Sequence, residues 1–182
     1  MLLVIAISIA VGWVRGGKLR NLTDIRVRVW PLLPLGFVLL AASSFVATDQ
    51  HELAVALILV SYLPLLLFVW LNRNMTGIWI AGMGILMNFT VIVLNGGMPV
   101  LEEAVRIAGG GDELLLGAKH VLLTEATLMP FLGDIIPLPS AVLSLGDVFL
   151  AIGIATFLED QMRRPPRLFA HGVSGVPGSA AS

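Results

Sequence analysis

The sequence predicts an all-α, polytopic helical membrane bundle with about five transmembrane helices plus a re-entrant or interfacial helix. Three observations predict this fold class. The 182 residues are 57 % hydrophobic and 13 % charged, with a mean hydropathy of +0.94, whereas soluble domains carry about 25 % charged residues. Apolar runs close to the ~20 residues that cross a bilayer recur along the chain. Basic residues and tryptophans collect on one side of those runs.

Five apolar runs are expected to cross the bilayer within one integral-membrane domain at residues 1–160. They lie at about residues 2–14, 30–47, 53–71, 77–95 and 140–158. The first run rises only about 20 Å. We interpret it as an uncleaved anchor, because no basic residue precedes it and Arg15 stands where a signal peptide would be cleaved. Residues 161–182 contain Pro-Pro, Gly and Ser without an apolar period, which predicts a disordered cytoplasmic tail.

The outer loop at residues 96–139 contains an ambiguous apolar stretch at 113–133. Lys119, His120 and Glu125 lie within this stretch and would be costly in lipid. A sixth crossing would also move the basic tail to the outside. We therefore expect a re-entrant or interfacial helix there rather than a sixth span.

The distribution of Lys and Arg predicts the orientation. Nine of them fall on one side of a five-span bundle, and only Arg106 and Lys119 fall on the other. By the positive-inside rule, the N-terminus lies outside and the C-terminus lies in the cytoplasm of a bacterial cytoplasmic (inner) membrane. The tryptophans agree, because all four are predicted at the cytoplasmic interface: Trp13, Trp30, Trp70 and Trp79.

Composition excludes several kinds of chemistry. With no cysteine, disulfide frameworks, thiol nucleophiles and thiolate metal sites are excluded. The three histidines are too scattered to suggest a zinc motif, so no metal and no cofactor are predicted. The net charge is −1, and no basic cluster with interleaved aromatic residues occurs, so a nucleic-acid-binding surface is not predicted. The expected partners are membrane lipids and other membrane-protein subunits.

Polar and small residues form one stripe on the fourth run and another on the fifth. Small residues at four-residue intervals let helix backbones approach closely, so the stripes are expected to face protein, and each suits the other as a partner. Asn88 and Asp147 both lie seven residues inside the outer end of their runs, about 10 Å deep. At one depth the two can hydrogen-bond, either as structural contact between helices or as part of a functional site.

Asp134 precedes the fifth run, in the segment Leu-Gly-Asp-Ile-Ile-Pro. Its simplest interpretation is a surface turn, because Gly-Asp is common turn chemistry. The alternative is that a re-entrant segment brings it above Asp147. Two close carboxyls share a proton and act as general base and general acid on an attacking water, which makes Asp134 and Asp147 a candidate catalytic pair.

Further polar residues are candidates to line an outer-side pocket together with Asn88. His120, Thr124 and Thr127 follow helical spacing and are expected to form one polar face of the helix over the mouth. Asn95 closes the fourth run in an Asn-Gly-Gly turn. Helix capping explains this turn without a function, and a Gly-rich backbone at the mouth also suits the binding of a headgroup.

Short motifs at the outer side of the chain occur together in one combination. They are Asn-Gly-Gly-Met-Pro at 95–99, His120 with Leu-Leu-Thr at 122–124 and Thr127, Leu-Gly-Asp-Ile-Ile-Pro at 132–137, and Ser-Leu-Gly-Asp at 144–147. With Gly16-Gly17, the combination resembles a bacterial family of multi-pass membrane proteins known only as a domain of unknown function. The resemblance extends to about Leu158. It implies a membrane location and supplies no established activity.

Asp134 and the run Asp-Val-Phe-Leu-Ala-Ile-Gly from Asp147 are also similar to the lipoprotein signal peptidases, which are small helical membrane proteases. In that family one Asp precedes the last span and the other lies within it, near the outer face. The similarity implies an aspartate pair at Asp134 and Asp147. The interval between the two is shorter here, and the Asn-rich Asp-Arg segment of that family is not reproduced around Asn88.

The function expected from the sequence is binding of a lipid-borne or membrane-protein partner in the outer-side pocket. One alternative is an aspartyl-type intramembrane peptidase, and another is a structural subunit of a larger membrane complex. A proton or solute carrier is disfavoured, because the facing stripe below Asn88 contains only Gly and Ala and offers no polar route inward.

Overall fold

The computed structural model describes residues 9–43, 45–46, 49–109 and 119–164, which contain six helices and a four-stranded sheet. The helices are α1, described over residues 9–14, α2 (Leu32–Ser43), α3 (His51–Leu71), α4 (Ile78–Asn95), α5 (Glu102–Ile107) and α6 (Leu145–Arg163). The strands are β1 (Met98–Val100), β2 (His120–Leu122), β3 (Asp134–Leu138) and β4 (Ala141–Ser144). Two 3-10 helices occupy Leu19–Asp24 and Pro130–Leu132.

The long helices form a layer in which α2 packs on α3, α3 on α4, and α4 on α6. One apolar cluster lies near the sheet, where Ile58 of α3 and Val91 of α4 contact Met98 and Leu132. A second cluster lies further along the same helices and includes Leu65, Phe68 and Ile85. Each such side chain contributes roughly 1.5–3 kcal/mol when fully buried.

Glycines bring α4 and α6 into direct backbone contact. A Cβ atom on Gly84 would lie 2.6 Å from the backbone nitrogen of Leu150, and one on Gly153 would lie 2.6 Å from the Cα of Ala81. No side chain fits in either place, so the two helices approach as closely as small residues permit. The expectation that the stripe of α4 faces protein is therefore confirmed. On α6 the close contact is made by Gly146 and Gly153, which were not part of the predicted stripe. Of that stripe, Ser144 and Asp147 contact α4 through Asn88, and Ser140 lies outside the helix.

The sheet has the strand order β2-β1-β3-β4. β1 is parallel to both of its neighbours, and β3 and β4 form an antiparallel pair. Asp134, the first residue of β3, has Val100 as its partner on one side and Ser144 on the other. The register therefore places Asp134 in the middle of the sheet, beside the residue that begins α6.

The prediction of an all-α bundle with five spans is wrong. Among the described residues, only α3 and α4 are long and apolar enough to cross a bilayer, a property that core helices of soluble proteins share. α2 has 12 residues, or about 18 Å. α6 carries Asp147, Glu159 and Asp160 and is less apolar. Residues 2–8 of the first predicted run and residues 165–182 of the predicted tail lie outside the described residues.

The predicted fifth run is divided between a strand and a helix. Ser140 adopts a left-handed backbone conformation with φ 63°, which no helix interior tolerates. The next four residues pair with β3 as strand β4. Helix α6 begins only after Ser144, whose side chain caps it. Apolar composition alone did not separate the strand from the helix, because both are hydrophobic here.

The predicted re-entrant or interfacial helix at 113–133 is also wrong where the structure describes that stretch, which is from Lys119 onward. His120–Leu122 forms β2 and pairs with β1. Thr124 and Thr127 close a turn, and Met129 has φ 53° immediately before the Pro130–Leu132 3-10 helix. The stretch is too interrupted for a helix, so its spacing of polar residues does not create one helical face.

Asparagine side chains hold loops against the helices at the end away from the sheet. The Asn72 side chain accepts from the Arg28 amide at 2.7 Å and donates to its carbonyl at 3.0 Å, as a neighbouring strand would. Asn21 donates to the carbonyl oxygens of Met162 and Arg164, both at 2.7 Å. These bonds satisfy carbonyl groups at the C-terminal end of α6 that lack helical partners. We call this end of the molecule, where α3 and α6 end and α4 begins, the basic end.

Candidate functional site

Polar side chains from four elements meet where the sheet packs on the long helices. We call them the polar cluster: Asn88 of α4, His120 of β2, Asp134 of β3, and Ser144 with Asp147 at the start of α6. Asn88, Asp134 and Ser144 are buried. Burying polar groups costs free energy unless they find partners, so the partners of each group indicate what the cluster can do.

Asp147 is held in place by the beginning of α6. Ser144 and Asp147 form a reciprocal capping box, in which the Ser144 hydroxyl accepts from the Asp147 amide at 2.9 Å and the Asp147 Oδ2 accepts from the Ser144 amide at 3.1 Å. This arrangement satisfies amide groups that the first helical turn leaves free. One carboxylate oxygen of Asp147 is therefore committed to the structure of the helix.

Asn88 connects α4 to this cap. Its Nδ2 donates to the Asp147 Oδ1 at 2.9 Å, and its Oδ1 accepts from the Ser144 hydroxyl at 2.8 Å. The hydrogen bond anticipated between Asn88 and Asp147 is present. Both oxygens of Asp147 consequently have hydrogen-bond partners, and Asn88, Ser144 and Asp147 form a satisfied network between α4 and α6.

The pair of Asp134 and His120 is less well satisfied. The Asp134 Oδ2 lies 3.7 Å from the His120 Nε2, which is beyond hydrogen-bond distance, and both side chains are largely buried. The Nδ1 of His120 is buried without a partner among the described residues. A buried polar atom without a partner is unusual in a native structure and marks this pair as distinct from the satisfied network.

Burial sets the protonation of this pair. Burial and the nearby negative charge of Asp147 raise the pKa of Asp134 to about 7, with Lys119 acting in the opposite direction. Burial, and secondarily the positive charge of Lys119, lower the pKa of His120 to about 4. Between these values the carboxyl carries a proton and the imidazole is neutral. A protonated carboxyl can donate a hydrogen bond or a proton, which an ionised one cannot.

The two carboxyls of the proposed catalytic pair have different surroundings. Asp134 is connected to Asp147 through Ser144, which pairs with Asp134 in the sheet and bonds Asp147 at the helix start. The hydrogen bonds of the described residues include none between the two carboxyls. Environments that separate the protonation of two carboxyls are a common arrangement for an acid and a base. Here, however, both carboxylate oxygens of Asp147 already accept hydrogen bonds.

The remaining predicted pocket residues form a separate set of contacts. Asn95 donates to the Val91 carbonyl at 2.8 Å and exchanges two hydrogen bonds with the Leu128 backbone, at 2.9 and 3.0 Å. Thr127 accepts from the Thr124 amide through its hydroxyl at 2.8 Å. Asn95 thus fastens the turn of Thr124 and Thr127 to the end of α4. The structure brings Asn88, His120, Asp134 and Asp147 together. It places Thr124 and Thr127 in a separate supporting turn, which Asn95 holds from the end of α4.

Two contributors were not singled out from the sequence. Tyr62 of α3 lies near Asn88 and the carboxyl groups of Asp134 and Asp147. It packs edge-on against Phe89, with ring centroids 6.0 Å apart. The sequence could have indicated Tyr62, because it is the one tyrosine of the chain and lies in an apolar run. Ser144 was part of the stripe, but its spacing of three residues before Asp147 is also the signature of a capping box.

No group of three or more metal-binding side chains occurs within the part of the chain that the structure describes. The polar cluster itself contains two carboxyls and one imidazole, with one carboxylate already hydrogen-bonded on both oxygens.

Comparisons with known proteins give a family without an assigned activity. Residues 24–159 match the model of a family of unknown function, DUF5317, so the chain belongs to that family. The chain is also similar to an uncharacterized protein of Thermotoga maritima, with 33 % identity over 123 residues, which cover 63 % of this chain and 71 % of that protein. No solved structure matches.

Proposed function

We propose that this member of the DUF5317 family is anchored in the bilayer by α3 and α4 and that its polar cluster, at the external end of these helices, binds a lipid-borne or membrane-protein partner. The observation that carries the proposal is the buried cluster at the junction of sheet and helices, in which the His120 Nδ1 has no partner among the described residues. An approaching donor would satisfy this nitrogen, and the protonated carboxyl of Asp134 could itself donate.

The outward faces of the two long helices support placement in lipid. Large apolar side chains are about half exposed along both helices, at Leu53, Val60, Leu63, Leu67, Met83, Leu86, Val93 and Leu94. A helix at the surface of a soluble protein carries polar residues on its outer face, whereas a helix that is apolar all round is buried or spans a membrane. These apolar faces remain exposed in the structure. Contact with acyl chains or with another membrane protein would explain why they are apolar.

The charges support one orientation. Arg73 follows α3 at the basic end, where its guanidinium lies 4.6 Å from the ring centroid of Trp70. Trp70 and Trp79 are more than half exposed there, as interfacial tryptophans are. Because basic residues remain in the cytoplasm, the sheet and the polar cluster would lie at the external side.

The surface around the polar cluster suits an apolar partner. Exposed apolar side chains lie on β2, on the segment that leads from it through the 3-10 helix, and on β3, at Leu122, Leu128, Met129, Phe131 and Leu138. Exposed apolar side chains on the elements that carry the polar cluster favour an interaction with lipid or protein. They favour a partner that arrives within the bilayer interface.

Accessibility of single cysteines tests the placement, because the chain has no native cysteine. In intact cells, a membrane-impermeant maleimide is expected to label Leu122→Cys at the sheet end and to leave Arg73→Cys unlabelled until the cells are permeabilised. Labelling of Arg73→Cys alone would reverse the orientation. Recovery of the unaltered chain in the soluble fraction after cell disruption would overturn the anchoring by α3 and α4.

Photocrosslinking tests the partner. A photoreactive residue in place of Leu122 is expected to form adducts with a lipid-borne molecule or a membrane protein, and a matched residue in place of Met83 on the outer face of α4 is expected to react with bulk lipid only. Adducts should weaken when Asp134→Asn is added, because the donor is changed. Identical adducts at both positions, unaffected by Asp134→Asn, would refute a specific site.

An aspartyl-type hydrolase is the second candidate, and one observation favours it. Asp134 holds a proton near neutral pH beside the negative charge of Asp147, which is the division of roles that acid–base hydrolysis requires. For catalysis, Asp147 would have to release Asn88 or Ser144 to contact a water. Cleavage of a membrane-anchored substrate that is lost in both Asp134→Asn and Asp147→Asn would support the hydrolase, and cleavage retained in both would exclude it.

A further inference from the structure

A groove at the basic end lies far from the polar cluster and has no role in the function proposed above. It has a volume of about 430 Å³ and is lined by Trp13, Gly17, Lys18, Leu19 and Arg20. We propose that this groove binds the phosphate headgroup of an anionic phospholipid in the cytoplasmic leaflet. The proposal rests on the bilayer placement proposed above, and the experiment below separates the two.

The chain builds the groove by ending α1 in a Schellman motif. Gly16 has φ 87°, its amide donates to the Trp13 carbonyl at 3.0 Å, and the Gly17 amide donates to the Gly12 carbonyl at 2.8 Å. The chain then reverses direction, so Trp13 and Lys18 lie on the same rim. Gly16 needs its φ, and any other residue there would strain the turn.

Helix α6 forms the support for this turn. The Lys18 amide donates to the Met162 carbonyl at 2.9 Å, and a Cβ on Gly17 would lie 2.7 Å from the Cβ of Met162. Asn21 fastens the following 3-10 helix to the same helix end. The backbone of the groove is therefore held on two sides before any ligand binds, which lowers the entropic cost of binding.

The charges that face the groove are available for a ligand. Arg15, Arg163 and Arg164 are paired with Glu159 or Asp160 of α6. Lys18 and Arg20, in contrast, have no acidic partner among the side chains that the structure describes. Two unpaired cations on one rim form a site for an anion.

The apolar rim identifies the anion as that of a lipid. Trp13 and Leu19 are 68 % and 54 % exposed beside the two cations. A soluble phosphate makes no use of such side chains, whereas a phospholipid places its phosphate against the cations and its glycerol and acyl carbons against Trp13 and Leu19. Basic residues next to a membrane also attract anionic lipids of the cytoplasmic leaflet.

Fluorescence quenching by brominated lipids tests the groove. The full chain is placed in nanodiscs with Trp13 as its one tryptophan, after substitution of the exposed Trp30, Trp70 and Trp79 by Phe. Phosphatidylglycerol with brominated acyl chains is expected to quench Trp13 more strongly than brominated phosphatidylcholine at equal mole fraction. Each of Lys18→Gln and Arg20→Gln should reduce the relative affinity for phosphatidylglycerol about fivefold, which corresponds to about 1 kcal/mol per cation.

Matched variants make the result decisive. Arg163→Gln, whose side chain is 3.4 Å from Glu159, should change the preference far less, because that cation is already paired. Lys18→Glu with Arg20→Glu should reverse the preference toward phosphatidylcholine. Equal quenching by both lipids, unchanged in these variants, would overturn the headgroup site while leaving the bilayer placement intact. An absence of quenching by either lipid would overturn the placement as well.

Discussion

Replacement of either member of the His120–Asp134 pair is expected to reveal a strong pH dependence of stability that the intact pair conceals. Asp134 binds its proton more tightly in the folded chain than in the unfolded chain. Its contribution to the free energy of unfolding is fully present below pH ~4 and is lost as the pH rises through about 7. His120 has the opposite sign, because its contribution is present above pH ~6.5 and is lost as the pH falls through about 4.

The magnitudes follow from the two shifts at about 1.36 kcal/mol per pKa unit. The pKa of Asp134 rises from 3.8 to about 7, which corresponds to about 4 kcal/mol. The pKa of His120 falls from 6.5 to about 4, which corresponds to about 3 kcal/mol. The side chains are only 11 % and 13 % exposed, so solvent screens these effects little. In the unaltered protein they largely cancel, which leaves a net loss of about 1 kcal/mol above pH ~6.5.

In each variant, the free energy of unfolding should depend on pH through the remaining residue of the pair alone. As the pH rises from 4 to 7, the free energy of unfolding of Asp134→Asn should increase by about 3 kcal/mol. As the pH rises from 4 to 8, that of His120→Gln should decrease by about 4 kcal/mol. The assay is equilibrium unfolding by guanidinium chloride in detergent micelles, followed by tryptophan fluorescence at a series of pH values. The exposed Glu103→Gln serves as control and should follow the unaltered protein. Parallel pH profiles for both pair variants would refute the assignment of a neutral buried pair.

Three further outcomes are expected. Gly84→Ala should destabilise the chain by about 1–3 kcal/mol in the same unfolding assay, because the added methyl would contact the Leu150 backbone; the half-exposed Leu86→Ala is the control, and equal losses would contradict the close packing. Asp147→Asn should cost about 1–3 kcal/mol, since its NH2 group must face a donor of Asn88 or Ser144; a neutral result would show that the network adds no stability. A hydrophobic carbodiimide, which reacts with protonated carboxyls, should modify Asp134 less as the pH rises through about 7. Mass spectrometry locates the adduct, and labelling that does not vary with pH would contradict a protonated Asp134.

Helical segments with strong local signals were predicted well. The apolar runs at 53–71 and 77–95 correspond to α3 (His51–Leu71) and α4 (Ile78–Asn95) within two residues at each end. Long uniform apolar runs have few alternative structures, so their type is clear from composition. The packing of α4 on α6 also followed from the spacing of the small residues on α4, since small residues at four-residue intervals let helices approach closely. The glycines of α6 that meet it, Gly146 and Gly153, were not singled out.

The sheet was missed because its strands are short and distant in sequence. β1 has three residues and pairs with β2 about twenty residues later and with β3 beyond that. A three-residue apolar segment has no measurable period, and its partner is chosen only when the chain closes. The turn at Ser140 was missed for the same reason. Its left-handed backbone separates β3 from β4, and no local sequence signal marks it.

Apolar composition and the placement of charge, both properties of the printed sequence, determined that long helices with exposed hydrophobic faces would form and that cations would gather at one end. Tertiary structure decided how the polar residues are used. It joined Asn88 to the cap of α6, set Asp134 in the centre of a sheet, and left His120 beside it with a buried nitrogen that none of the described residues bonds. The physical reason is that hydrophobicity acts residue by residue, whereas a hydrogen bond or a shifted pKa requires two groups that only the folded chain brings together.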